Sequence, residues 1–219
     1  MNSVELTSKC IEYVKDELGD NMLELALDRT MICKKICNGK IDNYVLVCSM
    51  LYDVISSENI KLLYDLNKFL EKIFKKYEIV NQILVVLNTV SYSVEMNNKK
   101  RYYEKMLKDE FLHVRNIVSD ANKCVRFGEI GYKYYVNYMD LEGEMLENDL
   151  IYMFYSECRH KIFKLFLDNF LRTDLGRRLC KNMFLETIDF LINYFERKNN
   201  VEKIKELVEY RIEINKVIL

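Results

Sequence analysis

Residues 3–39 read SVELTSKCIEYVKDELGDNMLELALDRTMICKKICNG, and this stretch decides the fold class. Leu6, Cys10, Tyr13 and Val14 recur at three- and four-residue steps, which places them on one face of a helix. Ser3 is a good N-cap for that helix, and Gly19-Asp20 supplies its stop. A second helix is expected from about Asn21 to Cys37, ended by Asn38-Gly39, because Asn and Gly tolerate the left-handed conformation that closes a helix. Two such helices with so short a turn between them make an antiparallel hairpin.

The same periodicity continues along the chain, and strict alternation over five or more residues is scarce, so strands are not expected. None of the 219 residues is proline and only six are glycine, so the usual helix breaker is missing from end to end. A helix is expected from Ile41 through Leu51 and Ile55, with Ser56-Ser57-Glu58 as a break or a solvated turn. Leu62, Leu66, Phe69, Leu70 and Ile73 carry the stripe onward. A long helical pattern covers about Ile79 to Val118, weakest at Asn97-Asn98-Lys99-Lys100-Arg101. Further helices are expected over about Cys124–Met139, Glu144–Phe170, from a Thr173-Asp174 cap to Arg197, and from Asn199-Asn200 to the C-terminus. The expectation is an all-α chain, an antiparallel bundle of about eight helices.

Half of the residues are hydrophobic and 31% are charged, with a formal net charge of −1. No Ser/Gly-rich linker or block of like charges divides the chain, so a single domain over 1–219 is expected. A balanced surface lacks the basic field that nucleic-acid binding needs, so nucleic acid is not an expected partner. The apolar segment from Ile79 to Val90 is too short to cross a bilayer, and the N-terminus has no secretory signal. No membrane partner is expected, and the cytosol or nucleus is the expected compartment. Cys10, Cys33, Cys37, Cys48, Cys124, Cys158 and Cys180 are spread singly and read as small core residues.

Four clusters suggest chemistry, and each has a structural reading beside it. Cys33 and Cys37 have the i, i+4 spacing of a metal pair, but no His lies nearby and burial explains them. His113 and His160 have neighbouring carboxylates but no nucleophile, base and orienter set. Asp140, Glu142, Glu144, Glu147 and Asp149 lack the loop chemistry of a calcium site and suit a solvated helix start. Tyr132, Tyr134, Tyr135 and Tyr138 could stack bases, though packing is the simpler use on a chain of this charge. No glycine pair has the spacing of a phosphate-binding loop. No metal, cofactor or enzymatic activity is expected.

The first forty residues resemble the 14-3-3 family without a gap, through Met1, Glu5, Leu6, Lys9, Glu17, Asp20, Met22, Thr30 and Asn38. Residues Tyr132 to Asp140 are similar to that family's Tyr-Tyr-Arg-Tyr helix, and TDLGRRLCKNMFLETIDFLI at 173–192 to its groove helix. The resemblance implies a concave cup of helices. In it residues 1–39 would form a dimerisation hairpin, with Glu5, Leu6, Lys9, Cys10 and Tyr13 at the seam, and residues 40–219 would supply a groove for phosphorylated peptides. The implied function is a non-enzymatic adaptor that works as a homodimer on phosphoprotein or peptide partners.

A phosphate of nearly two charges needs a Lys, Arg and Tyr set, with an Asn on the peptide backbone. Here Val136 stands at the family's Arg and Asn137 at its Tyr. Met50 and Ser57, or Asp53 and Ile60, stand at the other cationic positions, with Lys61 as the nearest cation. The implied peptide-binding set is therefore Lys61, Tyr135, Asn137, Arg177 and Asn182, a degenerate phosphate site. The alternative is a general helical scaffold, TPR-like or other, that does not read phosphate.

Overall fold

The computed structural model describes residues 2–56, 60–97, 101–139, 145–164 and 170–216. Among them every regular element is helical: α1 (Ser3–Leu18), α2 (Asp20–Ile36), α3 (Asn43–Ser56), α4 (Ile60–Phe74), α5 (Tyr77–Thr89), α6 (Tyr92–Asn97), a 3₁₀ turn (Tyr102–Lys105), α7 (Asp109–Cys124), α8 (Gly128–Met139), α9 (Glu147–Glu157), a π turn (Cys158–Ile162), α10 (Asp174–Arg197) and α11 (Val201–Lys216). The all-α expectation holds, with more and shorter helices than the eight foreseen. No helix among the described residues is long and apolar enough to cross a membrane. Ser57-Glu58, Asn98 to Lys100, and Asp140, Glu142 and Glu144 of the acidic run lie outside the described residues.

The chain divides into two compact units, residues 1–122 and 123–219, with the boundary within α7. In the first unit, α1 is capped by Asn2, whose Oδ1 accepts the Glu5 N–H at 2.8 Å, so Ser3 is the first helical residue rather than the cap. Gly19 alone joins α1 to α2, with φ at 83°, a conformation that an L side chain resists. At the end of α2, Asn38 is left-handed and the Gly39 N–H reaches the Lys34 carbonyl at 2.8 Å, as the Asn-Gly pair foretold.

Helix α3 is the centre of this unit. Every residue from Val45 to Val54 is buried, Ser49 and Asp53 included, and a helix that is apolar all round must be enclosed on all sides. It packs against α1, α2, α4 and α5. The long helix foreseen over 79–118 is broken after Thr89, whose carbonyl accepts from the Arg115 guanidinium at 2.5 Å. A carbonyl captured by a side chain no longer propagates the helix.

The second unit is built on α8 to α11. Thr173 caps α10 as expected, its Oγ1 accepting the Gly176 N–H at 3.0 Å, and Asn200 caps α11 through the Lys203 N–H at 3.2 Å. A Cβ at Gly131 would sit 2.2 Å from the Arg126 backbone, so only glycine fits where α8 starts. Phe127, Phe154, Phe163, Phe184 and Phe195 form the buried centre of this unit.

Candidate functional site

The residues expected to read a peptide are divided between the two units. Lys61 is exposed on α4 of the first unit, while Tyr135 and Asn137 lie on α8, and Arg177 and Asn182 on α10, of the second. Tyr135 is half-buried with its ring 5.5 Å from that of Phe154, and burial pushes its phenol up. Arg177 is engaged by the Asp174 carboxylate and by the Leu171 carbonyl at 3.4 Å. Asn182 faces solvent. Asn137 is half-buried on α8.

The residues expected at a dimer seam also have roles within the chain. Leu6 and Cys10 are 1% and 0% exposed in the core of their own unit. Tyr13 stacks on Phe69 with ring centroids 4.3 Å apart. Only Glu5 and Lys9 face outward, paired with each other at 3.0 Å. Apolar area already removed from water by α2, α3 and α4 offers no further hydrophobic gain to a second subunit.

The densest polar chemistry of the first unit lies in its interior, as two arginine clusters. Arg29 of α2 donates from Nη2 to Asp53 Oδ2 at 2.6 Å and from Nη1 to the Ser49 carbonyl at 2.9 Å, with the guanidinium 4.9 Å from the Tyr52 ring centroid. The hydroxyls of Thr30 and Ser49 meet at 2.8 Å beside it. Arg115 of α7 is bound to the Glu95 carboxylate and the Thr89 carbonyl, and lies 3.9 Å from the Tyr103 ring centroid. The Ser119 hydroxyl donates to Glu95 at 3.2 Å. Both guanidiniums are fully buried, and charges removed from water are stable only when paired and hydrogen-bonded in this way.

These clusters were open to detection in the sequence. Arg29 shares the stripe of Ala26, Ile32, Cys33 and Ile36, and Arg115 that of Phe111, Val114 and Val118. A cation at a core position of an amphipathic helix demands a buried acid. Its identity, Asp53 or Glu95, depends on a helix-to-helix contact that spacing does not show.

His113 and His160 are exposed on helix surfaces. Burial pushes the Cys10 thiol up to about 12, and holds Cys48 and Cys158 well above the ordinary thiol range, so all three are protonated at neutral pH. No group of three or more His, Cys, Asp or Glu among the described residues is arranged to hold a metal ion. In the second unit, Tyr155 donates to Glu206 at 2.5 Å, Arg159 reaches the same carboxylate at 2.8 Å, and Lys203 lies 4.3 Å from the Tyr155 ring centroid. This latch fastens α11 to α9.

Beyond the latch, α11 has two different apolar faces. Leu207 and Ile214 are buried against the unit, while Val201, Val208 and Ile212 are 60%, 39% and 49% exposed. At 100° per residue the exposed three fall within about 40° of one another, on the side away from the buried pair.

No protein-family model matches the chain, and no curated protein matches it. Solved structures do share its fold. A Lactobacillus plantarum protein determined as a structural genomics target superposes with a TM-score of 0.68 at 17% identity, covering 92% of this chain and 100% of that one. Bacillus subtilis YpgQ gives a TM-score of 0.63 at 15% identity over 90% of this chain and 97% of its own, and YpgQ in complex with ADP gives 0.60 at 14% over 89% and 93%. At such identities the likeness speaks for the fold alone.

Proposed function

We propose that this chain is a non-enzymatic helical scaffold that binds an amphipathic helix of a protein partner without reading phosphate. The observation that carries this is the second apolar stripe of α11, Val201, Val208 and Ile212, which its own unit leaves exposed. A helix with one face buried and another apolar face in water has the i, i+7, i+11 register that a partner helix recognises. The interior arginines argue in the same direction, since Arg29 and Arg115 are bound to carboxylates and a phosphate would have to displace them. Arg177, implied for phosphate by the 14-3-3 resemblance, is likewise held by Asp174.

The test is a fluorescence titration with a labelled amphipathic helical peptide and its phosphoserine twin. Equal binding of the two, lost in a Val208→Asp/Ile212→Asp variant, is the expected result. Binding that requires the phosphate would instead favour the phosphopeptide adaptor and homodimer implied by the resemblance. A second reading, adenine-nucleotide binding, is favoured by YpgQ having been crystallised in complex with ADP. Heat released on adding ADP to the intact chain would support it over the scaffold.

A further inference from the structure

A cleft of about 390 Å³ opens in the first unit where the starts of α3 and α7 meet the end of α4 and the first turn of α1. Its size lies within the roughly 300–1,000 Å³ usual for small-molecule sites. Leu6, Ile73 and Phe74 give it an apolar wall. Tyr44 completes that wall, its ring 5.7 Å from Phe74 and 4.9 Å from Phe111, so the aromatic surface is held by packing on both sides.

The polar part of the lining is Asp42, Asn43 and Glu110, whose only charges are negative. Asp42 caps α3 through Oδ1, which accepts the N–H groups of Tyr44 and Val45 at 2.8 Å each, so the carboxylate is fixed in place while Oδ2 takes no part in the cap. Neither acid has a salt-bridge partner among the described residues. Both charges act at the wall itself: after burial, Glu110 and Asp42 are what push the Tyr44 phenol up.

An apolar aromatic wall beside two exposed carboxylates without a salt-bridge partner among the described residues favours a definite class of ligand. An anion is repelled, and a neutral molecule gains nothing from the two exposed carboxylates. A cation with an apolar body satisfies both parts, since its charge meets the carboxylates and the negative faces of the rings. We propose that this cleft binds a small organic cation, an ammonium carried on an apolar body, with Asp42 and Glu110 taking the charge and Tyr44 and Phe74 the body. The site is independent of the α11 stripe.

The test is calorimetric titration of the full chain with 2-phenylethylammonium and with its neutral counterpart 2-phenylethanol. The ammonium is expected to bind about tenfold more tightly than the alcohol, and an Asp42→Asn/Glu110→Gln variant to lose that preference. Asn caps a helix as well as Asp does, so the variant keeps its fold, which an unchanged urea midpoint and far-ultraviolet circular dichroism spectrum check. Equal affinity for the two compounds, an undiminished preference in the variant, or no heat with the ammonium at millimolar concentration would each overturn the proposal.

Discussion

Replacing Asp53 with alanine tests the energetic role of the buried arginine. The substitution removes the partner of Arg29 Nη2 and leaves the guanidinium, 0% exposed, with the Ser49 carbonyl at 2.9 Å and the Tyr52 ring at 4.9 Å. Neither neutralises a full positive charge. Breaking a buried pair on one side costs about 3–5 kcal/mol, because the stranded ion keeps its desolvation penalty without the attraction that offset it. Removing both charges in Arg29→Met/Asp53→Leu eliminates the penalty along with the attraction, and such replacements are neutral or stabilising by about 1–4 kcal/mol. Urea denaturation followed by far-ultraviolet circular dichroism measures both variants. The double variant is expected to be more stable than Asp53→Ala by several kcal/mol. A loss below about 1 kcal/mol in the single variant would refute the reasoning, since that is the worth of an exposed pair. So would a double variant as unstable as the single one.

Three further outcomes follow from the same geometry. The Cys10 thiol is raised from 9.0 to about 12 in the folded chain, so above pH 9 the unfolded state sheds a proton that the folded state keeps. Stability is therefore full below pH 9 and falls as pH rises toward 12, by about 1.4 kcal/mol per pH unit for such a group. A Cys10→Ala variant should show a shallower fall in denaturation curves taken across that range. Gly131→Ala places a methyl 2.2 Å from the Arg126 backbone, which should cost at least about 3 kcal/mol in the same assay, the upper end for overpacking. Tyr155→Phe should cost about 1 kcal/mol, because Arg159 still holds Glu206, and hydrogen exchange should show faster opening of α11.

The first hairpin was legible almost residue by residue, down to the Gly19 turn and the Asn38-Gly39 stop. Its face of Leu6, Cys10 and Tyr13 was equally legible, but periodicity states only that a face is buried and not what buries it. The 14-3-3 resemblance implied a second subunit there, and Leu6, Cys10 and Tyr13 also have partners within their own unit. The caps at Thr173 and Asn200 were read correctly because capping is local chemistry within three residues. The break after Thr89 was missed because its cause, Arg115, is 26 residues away.

The sequence by itself determined the class of the fold. Helical spacing, the absence of proline and the local caps act over a few residues, and their energies need no knowledge of the partner element. Tertiary structure decided everything that depends on which helix meets which: the division into two compact units, Asp53 and Glu95 as the partners of the interior arginines, the acidic aromatic cleft, and the stripe on α11 left uncovered. The physical reason is distance along the chain. A buried charge or an apolar face specifies that a partner must exist, and only packing chooses it.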